Sequence, residues 1–179
     1  MVITAGILLL SAAVLFSGRP VWALETIARQ AFLMDISTGT VLFEKNADQT
    51  MVPASMSKMM TVYMVFERLR DSSLSLSDTF AVSVTAWRKG GSRSGSSTMF
   101  LEPGERVKVE DLLLGIIVQS GNDASIAVAE GLAGGEAAFA EEMTRRGRQI
   151  GLGNSVFKNA TGWPHPEHLT TSRDLAILA

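Results

Sequence analysis

The chain has 179 residues, with 16 lysines and arginines against 18 aspartates and glutamates, a net charge of −2 and no cysteine. The slightly acidic balance argues against a nucleic-acid partner, and the lack of cysteine excludes disulfide bonds and thiolate metal sites. Hydrophobic residues make up 46% of the sequence, which at this length predicts one domain around one core.

The N-terminal segment predicts export. Residues 5–16 form an apolar run that is too short to span a bilayer comfortably, followed by a Gly-Arg-Pro stretch. This pattern is typical of a signal peptide over residues 1–23, with residues 24–179 as the mature domain. No lysine or arginine precedes the run, and the alternative is a single membrane anchor. Both interpretations place the mature chain in the periplasm or on the outer face of the cytoplasmic membrane.

The first half of the mature chain predicts a hairpin and a core helix. Residues 31–35 and 40–44 alternate around a glycine-containing turn, as antiparallel strands do. Residues 59–69 are too evenly apolar for a surface helix and are expected to run through the core.

The segment from residue 71 to 106 is rich in serine, glycine and threonine and is predicted to be irregular. Residues 88–97 are its most loop-like part, and short strands are expected around Phe80 and Met99. Long irregular stretches in compact domains are often binding regions.

The second half is predicted to be mainly helical, with helices at residues 109–119, 123–133 and 136–151. Asp123 is expected to cap the second of these helices. Residues 155–159 are predicted to form a strand, and a capping box at Thr171 and Asp174 is expected to begin a last helix.

Polar residues stand at the head of the apolar core helix, where Ser55 and Lys58 are three positions apart. On a helix these side chains share a face, and a lysine in a buried site can take the proton of a serine nucleophile. The alternative is an ordinary polar helix entrance. The same spacing recurs at Ser155 and Lys158, but in a predicted strand, where the two side chains would not meet.

The second candidate is the Ser120-Gly121-Asn122 break between two helices. Alone, this sequence is explained by a cap and a turn. Together with the Ser55 helix, it predicts a site that presents two hydroxyls, an amine and an amide to one acyl group.

The segments PASMSKMMT, AWRKGGSRSGSSTMFLEPGE, DLLLGIIVQSGNDASIAVAE and FKNATGWPHPEHLTTSRDLAILA, in this order, resemble the D-alanyl-D-alanine carboxypeptidases. These are low-molecular-mass penicillin-binding proteins of peptidase family S11, in the serine β-lactamase-like superfamily. The resemblance covers nearly all of residues 25–179. It implies an α/β (α+β) fold in which an antiparallel sheet packs against a helical cluster, with the active site between them.

The resemblance also implies residue roles and a reaction. Ser55 would be the acylated nucleophile, Lys58 the base, Ser120 a proton relay to the leaving D-alanine, and Asn122 a donor to the acyl side of the substrate. The implied substrate is the peptidoglycan pentapeptide, β-lactam antibiotics would acylate the same serine, and no metal or organic cofactor is needed. Association with the membrane is a further expectation.

The family pattern also has a K-T-G motif after the Ser-Gly-Asn break, and the sequence shows none there. We therefore expect a truncated form of an active enzyme that lacks the C-terminal strands. In the family, this strand supplies a cation for the substrate carboxylate and one N–H group of the oxyanion hole, so an inert peptidoglycan-binding fragment is an alternative. A D,D-endopeptidase with the same residue roles is another alternative, and a class A β-lactamase is disfavoured by Gly121.

Two histidines, His165 and His168, offer a rival chemistry. A metal site or a Ser-His-Asp triad is conceivable, but the neighbouring prolines argue against a helix that would present both rings on one face, and no third ligand is evident. We interpret them as part of a polar loop at the rim of the cleft.

Overall fold

A computed structural model describes residues 25–179, and the predicted signal peptide at residues 1–23 lies outside the described residues. The described chain forms, in order, β1 (Ala31–Met34), β2 (Val41–Lys45), α1 (Lys58–Arg70), β3 (Thr79–Ala81), α2 (Val84–Gly90), β4 (Arg106–Lys108), α3 (Val109–Gln119), α4 (Asn122–Ala133), α5 (Glu136–Gln149) and α6 (Ser172–Leu178). Two 3₁₀ helices lie at Ala54–Ser57, directly before α1, and at Ser92–Ser94, after α2. In this part of the chain, no helix is long and apolar enough to cross a membrane.

The strands form two small antiparallel sheets. β1 pairs with β2 as predicted, in a register that runs from Ala31 opposite Lys45 to Met34 opposite Val41. β3 pairs separately with β4. Helix α6 packs on β1 and helix α4 packs on β3, so the helices and both sheets form one packed domain. The predicted α/β (α+β) class is confirmed.

Helix α1 lies in the middle of the helical cluster and packs against α3, α4 and α5. Its buried positions include Met60 and Val65, both fully buried, as expected from its even apolarity. The central position brings the head of α1 beside the C-terminal end of α3, where Ser55 and Ser120 line a common pocket.

The prediction of a loop over residues 88–97 is wrong in its first part, since Arg88, Lys89 and Gly90 belong to α2. Ser83 begins this helix by accepting a hydrogen bond from the Ala86 N–H. Helix α2 packs on α4, which gives its few residues the burial that composition alone does not predict.

Three other local predictions need correction. Met99 forms no strand, because its N–H donates to the Asp123 carboxylate at 3.0 Å. Asp123 is not the cap of α4, since Gly121 holds that position and Asp123 lies in the first turn. Residues 155–159 form only an isolated bridge, between Val156 and Leu169. By contrast, Thr171 caps α6 as predicted, accepting from the Asp174 N–H. The Asp174 carboxylate does not complete a capping box, since it accepts from the Asn154 N–H and Ser155 Oγ.

Apolar side chains are also exposed on two faces of the molecule. On the hairpin these are Leu33, Val41 and Leu42, and on α3 they are Leu114, Ile117 and Val118. Single exposed apolar residues are normal, but such groups on neighbouring positions indicate surfaces suited to contact.

Candidate functional site

A pocket of about 270 Å³ lies between the head of α1 and the end of α3. Its polar lining comes from Ser55, Lys58 and Ser120, and its apolar lining is Met59, Val62, Ile116 and Ile117. The structure thus brings together three of the four predicted site residues. Apolar walls around a few convergent polar groups are typical of small-molecule sites.

Ser55 and Lys58 meet as the helical spacing predicts. Lys58 Nζ lies 3.2 Å from Ser55 Oγ, with the lysine 4% exposed and the serine open to solvent. The 3₁₀ turn that precedes α1 sets this geometry, and it begins at Ala54 with a φ of +50°. Left-handed backbone at a residue with a side chain is unfavourable and concentrates at functional sites.

The Lys58 amine is surrounded by protein. Burial lowers the pKa of Lys58 from its ordinary value of 10.5 to about 8. At pH 7 roughly a tenth of such side chains are neutral, roughly 300-fold more than for an exposed lysine. The site therefore holds an amine that can accept a proton from a neighbouring hydroxyl.

A turn at residues 159–163 fixes the other side of this amine. Thr161 contributes its carbonyl oxygen, which accepts from Lys58 Nζ at 2.7 Å. The turn itself is held by Asn159, whose Oδ1 accepts from the N–H groups of Thr161, Gly162 and Trp163 at 3.2, 2.7 and 3.1 Å. An Asn side chain that bonds to the backbone just after it is a common turn device, so the Asn-Ala-Thr-Gly sequence carries a signal that our sequence analysis missed.

Ser120 supplies the opposite wall from the C-terminal end of α3. It has a φ of +55°, and the N–H groups of Ser120 and Gly121 both reach the Gly115 carbonyl. The left-handed position at the end of a helix is usually occupied by glycine. A serine there retains its hydroxyl toward the pocket at the expense of backbone strain.

Asn122 does not line the pocket. It is buried as the first residue of α4, and its Nδ2 donates to Ser96 Oγ at 2.8 Å. Its Oδ1 has no hydrogen-bond partner within residues 25–179. The Ser96 hydroxyl oxygen lies 2.6 Å from that of Ser94. The serine-rich segment therefore orients the Asn122 amide.

The neighbouring Asp123 anchors that segment. The carboxylate, which is fully buried, accepts from Thr98 Oγ1 at 2.5 Å and from the N–H groups of Met99 and Leu101 at 3.0 and 3.1 Å. A carboxylate with several donors is strongly held even in a dry interior. The irregular segment is thereby fixed against the start of α4.

The two histidines have separate surroundings. His165 is exposed, and its Nδ1 accepts from the Glu167 N–H. His168 is fully buried, and its Nε2 lies 2.8 Å from Ser57 Oγ. The prediction that His168 lies at the rim of the cleft was therefore wrong. Neither ring bonds to Ser55, and residues 25–179 contain no cluster of three metal-ligating side chains.

The second Ser-x-x-K sequence is not a site. Ser155 Oγ bonds to Thr170 and Asp174 in the interior, while Lys158 pairs with Glu167 at the surface. As predicted, the two side chains do not meet. A larger groove of about 630 Å³ lies between α5 and residues 156–158, and it contains none of the predicted site residues.

Comparison with known proteins agrees with this geometry. The D-alanyl-D-alanine carboxypeptidase family matches residues 18–179. The chain is 43% identical over 152 residues to the D-alanyl-D-alanine carboxypeptidase DacC of Escherichia coli (strain K12), covering 84% of this chain and 38% of that protein. It is 40% identical over 152 residues to DacF of Bacillus subtilis (strain 168), covering 85% and 38%. A D-alanyl-D-alanine endopeptidase of Pseudomonas aeruginosa is more distant, at 29% identity over 86% of this chain and 47% of that protein.

Among solved structures, penicillin binding protein 5 from Haemophilus influenzae superposes with a TM-score of 0.83 at 37% identity, covering 88% of this chain and 45% of that chain. The chain therefore has the fold of the penicillin-binding proteins. The chain belongs to the D-alanyl-D-alanine carboxypeptidase family. It spans about two fifths of the length of the curated carboxypeptidases that it matches.

Proposed function

We propose that the protein is a serine-type D-Ala-D-Ala carboxypeptidase that removes the terminal D-alanine from peptidoglycan stem peptides through an acyl-enzyme on Ser55. The observation that carries the proposal is the buried, largely desolvated Lys58 amine 3.2 Å from Ser55 Oγ, in a pocket closed by Ser120. Membership of the family supports the choice of substrate.

In the acylation step, neutral Lys58 accepts the Ser55 hydroxyl proton as Oγ bonds to the carbonyl carbon of the penultimate D-alanine. One amine N–H stays on the Thr161 carbonyl, which leaves the lone pair free to face Oγ. The carbonyl oxygen becomes an oxyanion, and the donor that we propose for it is the Ser55 N–H, in the first turn of the 3₁₀ helix.

Collapse of this intermediate breaks the peptide bond. The departing amine of D-alanine takes a proton from the Ser120 hydroxyl, which is replenished from the Lys58 ammonium. Water then attacks the carbonyl carbon of the Ser55 ester while Lys58 accepts a water proton. As the bond from this carbon to Oγ breaks, Lys58 returns the proton to Ser55 Oγ, and the shortened peptide leaves with the new carboxyl group. Asn122 is proposed to bind the acyl side of the substrate through its amide, whose Nδ2 carries a second N–H besides the one that donates to Ser96 Oγ.

Release of D-alanine from a peptide ending in D-Ala-D-Ala tests the proposal. We expect turnover by the purified protein, loss of turnover in Ser55→Ala, and no turnover of the same peptide ending in D-Ala-L-Ala. A folded protein without D-alanine release would contradict it. Cleavage of a crosslinked muropeptide without release of D-alanine would instead identify the endopeptidase alternative, and β-lactam binding without turnover would identify an inert binding protein.

We also infer export across the cytoplasmic membrane, on the strength of the apolar run at residues 5–16 and the small residues up to Ala23. The mature protein should then begin at Leu24. N-terminal sequencing of the protein recovered from the periplasm tests this, and a retained residue 1 in the recovered protein would show an uncleaved anchor.

A further inference from the structure

His168 is a buried titratable group that the proposed reaction does not use. Its ring is fully buried and contacts Phe157 edge to face, with the ring centroids 5.7 Å apart. Burial, and secondarily the charge of His165, lower the pKa of His168 to about 4, so the ring is neutral at physiological pH. Its polar contact is with Ser57, whose Oγ lies 2.8 Å from Nε2.

Ser57 lies between Ser55 and Lys58 in the sequence and is the N-cap residue of α1. Its backbone is helical, with φ −55° and ψ −29°, because the 3₁₀ helix at Ala54–Ser57 leads directly into α1, and its side chain is not needed as a cap. Here the side chain makes no capping bond to α1 and is directed to His168 instead. The Ser57 hydroxyl is therefore available to His168, and their hydrogen bond ties the head of α1 to a segment 111 positions away in the sequence.

The segment 160–168 contacts the head of α1 at four points. Gly162 lies against the Ala54 backbone, the Ala160 and Thr161 carbonyls accept from Thr61 and Lys58, and His168 bonds to Ser57. The first three contacts lie within the turn that Asn159 holds. His168 supplies the side-chain anchor at the far end of the segment.

We propose that His168, acting through Ser57, is a positioning residue that keeps Ser55 and Lys58 in their reactive arrangement. The proposal rests on the function proposed above. Without the anchor, the segment and the 3₁₀ turn can separate. The Thr161 carbonyl then moves away from Nζ, and water enters around the amine. A misplacement of about 1 Å in such a site can cost about 10²-fold in rate.

The protonation of the ring follows from its surroundings. Nδ1 is buried and has no hydrogen-bond partner within the described residues. A buried N–H without a partner costs more than a buried lone pair, so the proton belongs on Nε2, where it donates to Ser57 Oγ. Glutamine at this position can place an amide N–H near the same point, whereas phenylalanine fills the volume without a donor.

The test compares His168→Phe with His168→Gln in the purified protein. Two quantities are measured: the rate constant and the pre-covalent affinity for acylation by a fluorescent penicillin, and the pKa of Lys58 by NMR of ¹³C-labelled lysine side chains. We expect His168→Phe to lower the rate constant roughly tenfold or more, leave the affinity unchanged, and raise the Lys58 pKa from about 8 toward 10.5. We expect His168→Gln to restore most of both values.

Two controls match the change. His165→Phe removes the exposed histidine, and Ser155→Ala removes a buried serine that bonds to Thr170 and Asp174 away from α1. Both should acylate at the wild-type rate per folded molecule, even though Ser155→Ala lowers stability. If His168→Phe does not fold, Ser57→Ala takes its place with the same expected changes.

A folded His168→Phe or Ser57→Ala protein with the wild-type acylation rate and an unchanged Lys58 pKa would overturn the proposal. If the wild-type protein is not acylated at all, the proposed function fails, but the Lys58 pKa in the variants still decides the positioning role. The two failures are therefore distinguishable.

Discussion

The carbonyl oxygen of Thr161 accepts a hydrogen bond from Lys58 Nζ at 2.7 Å, joining residues 103 positions apart in the sequence. The bond holds the amine in place without giving it a negative partner that would stabilise its charged form. As a result, the chemistry proposed for the head of α1 depends on a distant turn. Burial of the same amine lowers its pKa and gives the site its expected pH dependence.

Acylation by a β-lactam should rise with pH through about 8 and then level off, because neutral Lys58 is the proton acceptor and burial lowers its pKa to about that value. Stopped-flow rates with a chromogenic β-lactam between pH 5 and 10 measure this. Lys58→Arg, which stays charged, should lose the rise and be slower by roughly 10²-fold to 10⁴-fold. A wild-type profile that rises only near 10.5 would show that the amine is not desolvated.

Gly162 is expected to tolerate no side chain. Its φ is +84°, and a Cβ there would clash with the Ala54 carbonyl oxygen directly before Ser55. Gly162→Ala should lower the free energy of unfolding by more than about 1 kcal/mol and slow acylation of the folded fraction. Gly153→Ala is the matched control, since nothing lies within 4 Å of its added Cβ. Urea unfolding of both variants checks the prediction, and equal stabilities would contradict it.

Local sequence was sufficient for much of the fold. The β1–β2 hairpin, the core helix α1 and the break at Ser120 between α3 and α4 follow from patterns spanning a few residues, and each was predicted. The Ser55–Lys58 contact is also local, because helical spacing alone brings the two side chains together.

The features that sequence reasoning missed depend on distant contacts. Ser57 and His168 are 111 positions apart, and their bond explains why a histidine in a proline-rich loop is buried. Asp123 resembles a cap in sequence, but its acceptor oxygens are used by Thr98 and Met99, more than 20 residues earlier. Helix α2 escaped notice because its stability comes from packing on α4 rather than from its composition.

Substitutions at Ser120 separate the effect of backbone strain on stability from the effect of the hydroxyl group on turnover. Ser120→Gly relieves the left-handed backbone and should be more stable than Ser120→Ala by about 1 kcal/mol. Both variants lack the hydroxyl, so D-alanine release should fall roughly 10²-fold or more in each. Thermal unfolding and peptide turnover are compared. Wild-type turnover in Ser120→Gly would exclude a proton relay through this hydroxyl.

His168 should also shape the acid stability of the protein. Its pKa is about 4 when folded and 6.5 when free, so the unfolded chain binds the extra proton first as the pH falls. The stability contributed by neutral His168 is complete above about 6.5 and is lost as the pH falls toward 4, by up to about 3 kcal/mol. Unfolding free energies of wild type and His168→Gln at pH 7, 5 and 4 measure this. Parallel pH dependences in the two proteins would refute the assignment.

The central claim is that Ser55 is a nucleophile activated by Lys58, and intact-mass spectrometry after incubation with a β-lactam tests it most directly. We predict a mass increase equal to one β-lactam on the wild-type protein and none on Ser55→Ala, with Ser155→Ala labelled like the wild type. No adduct on a folded wild-type protein, or an adduct that persists in Ser55→Ala, would contradict the claim.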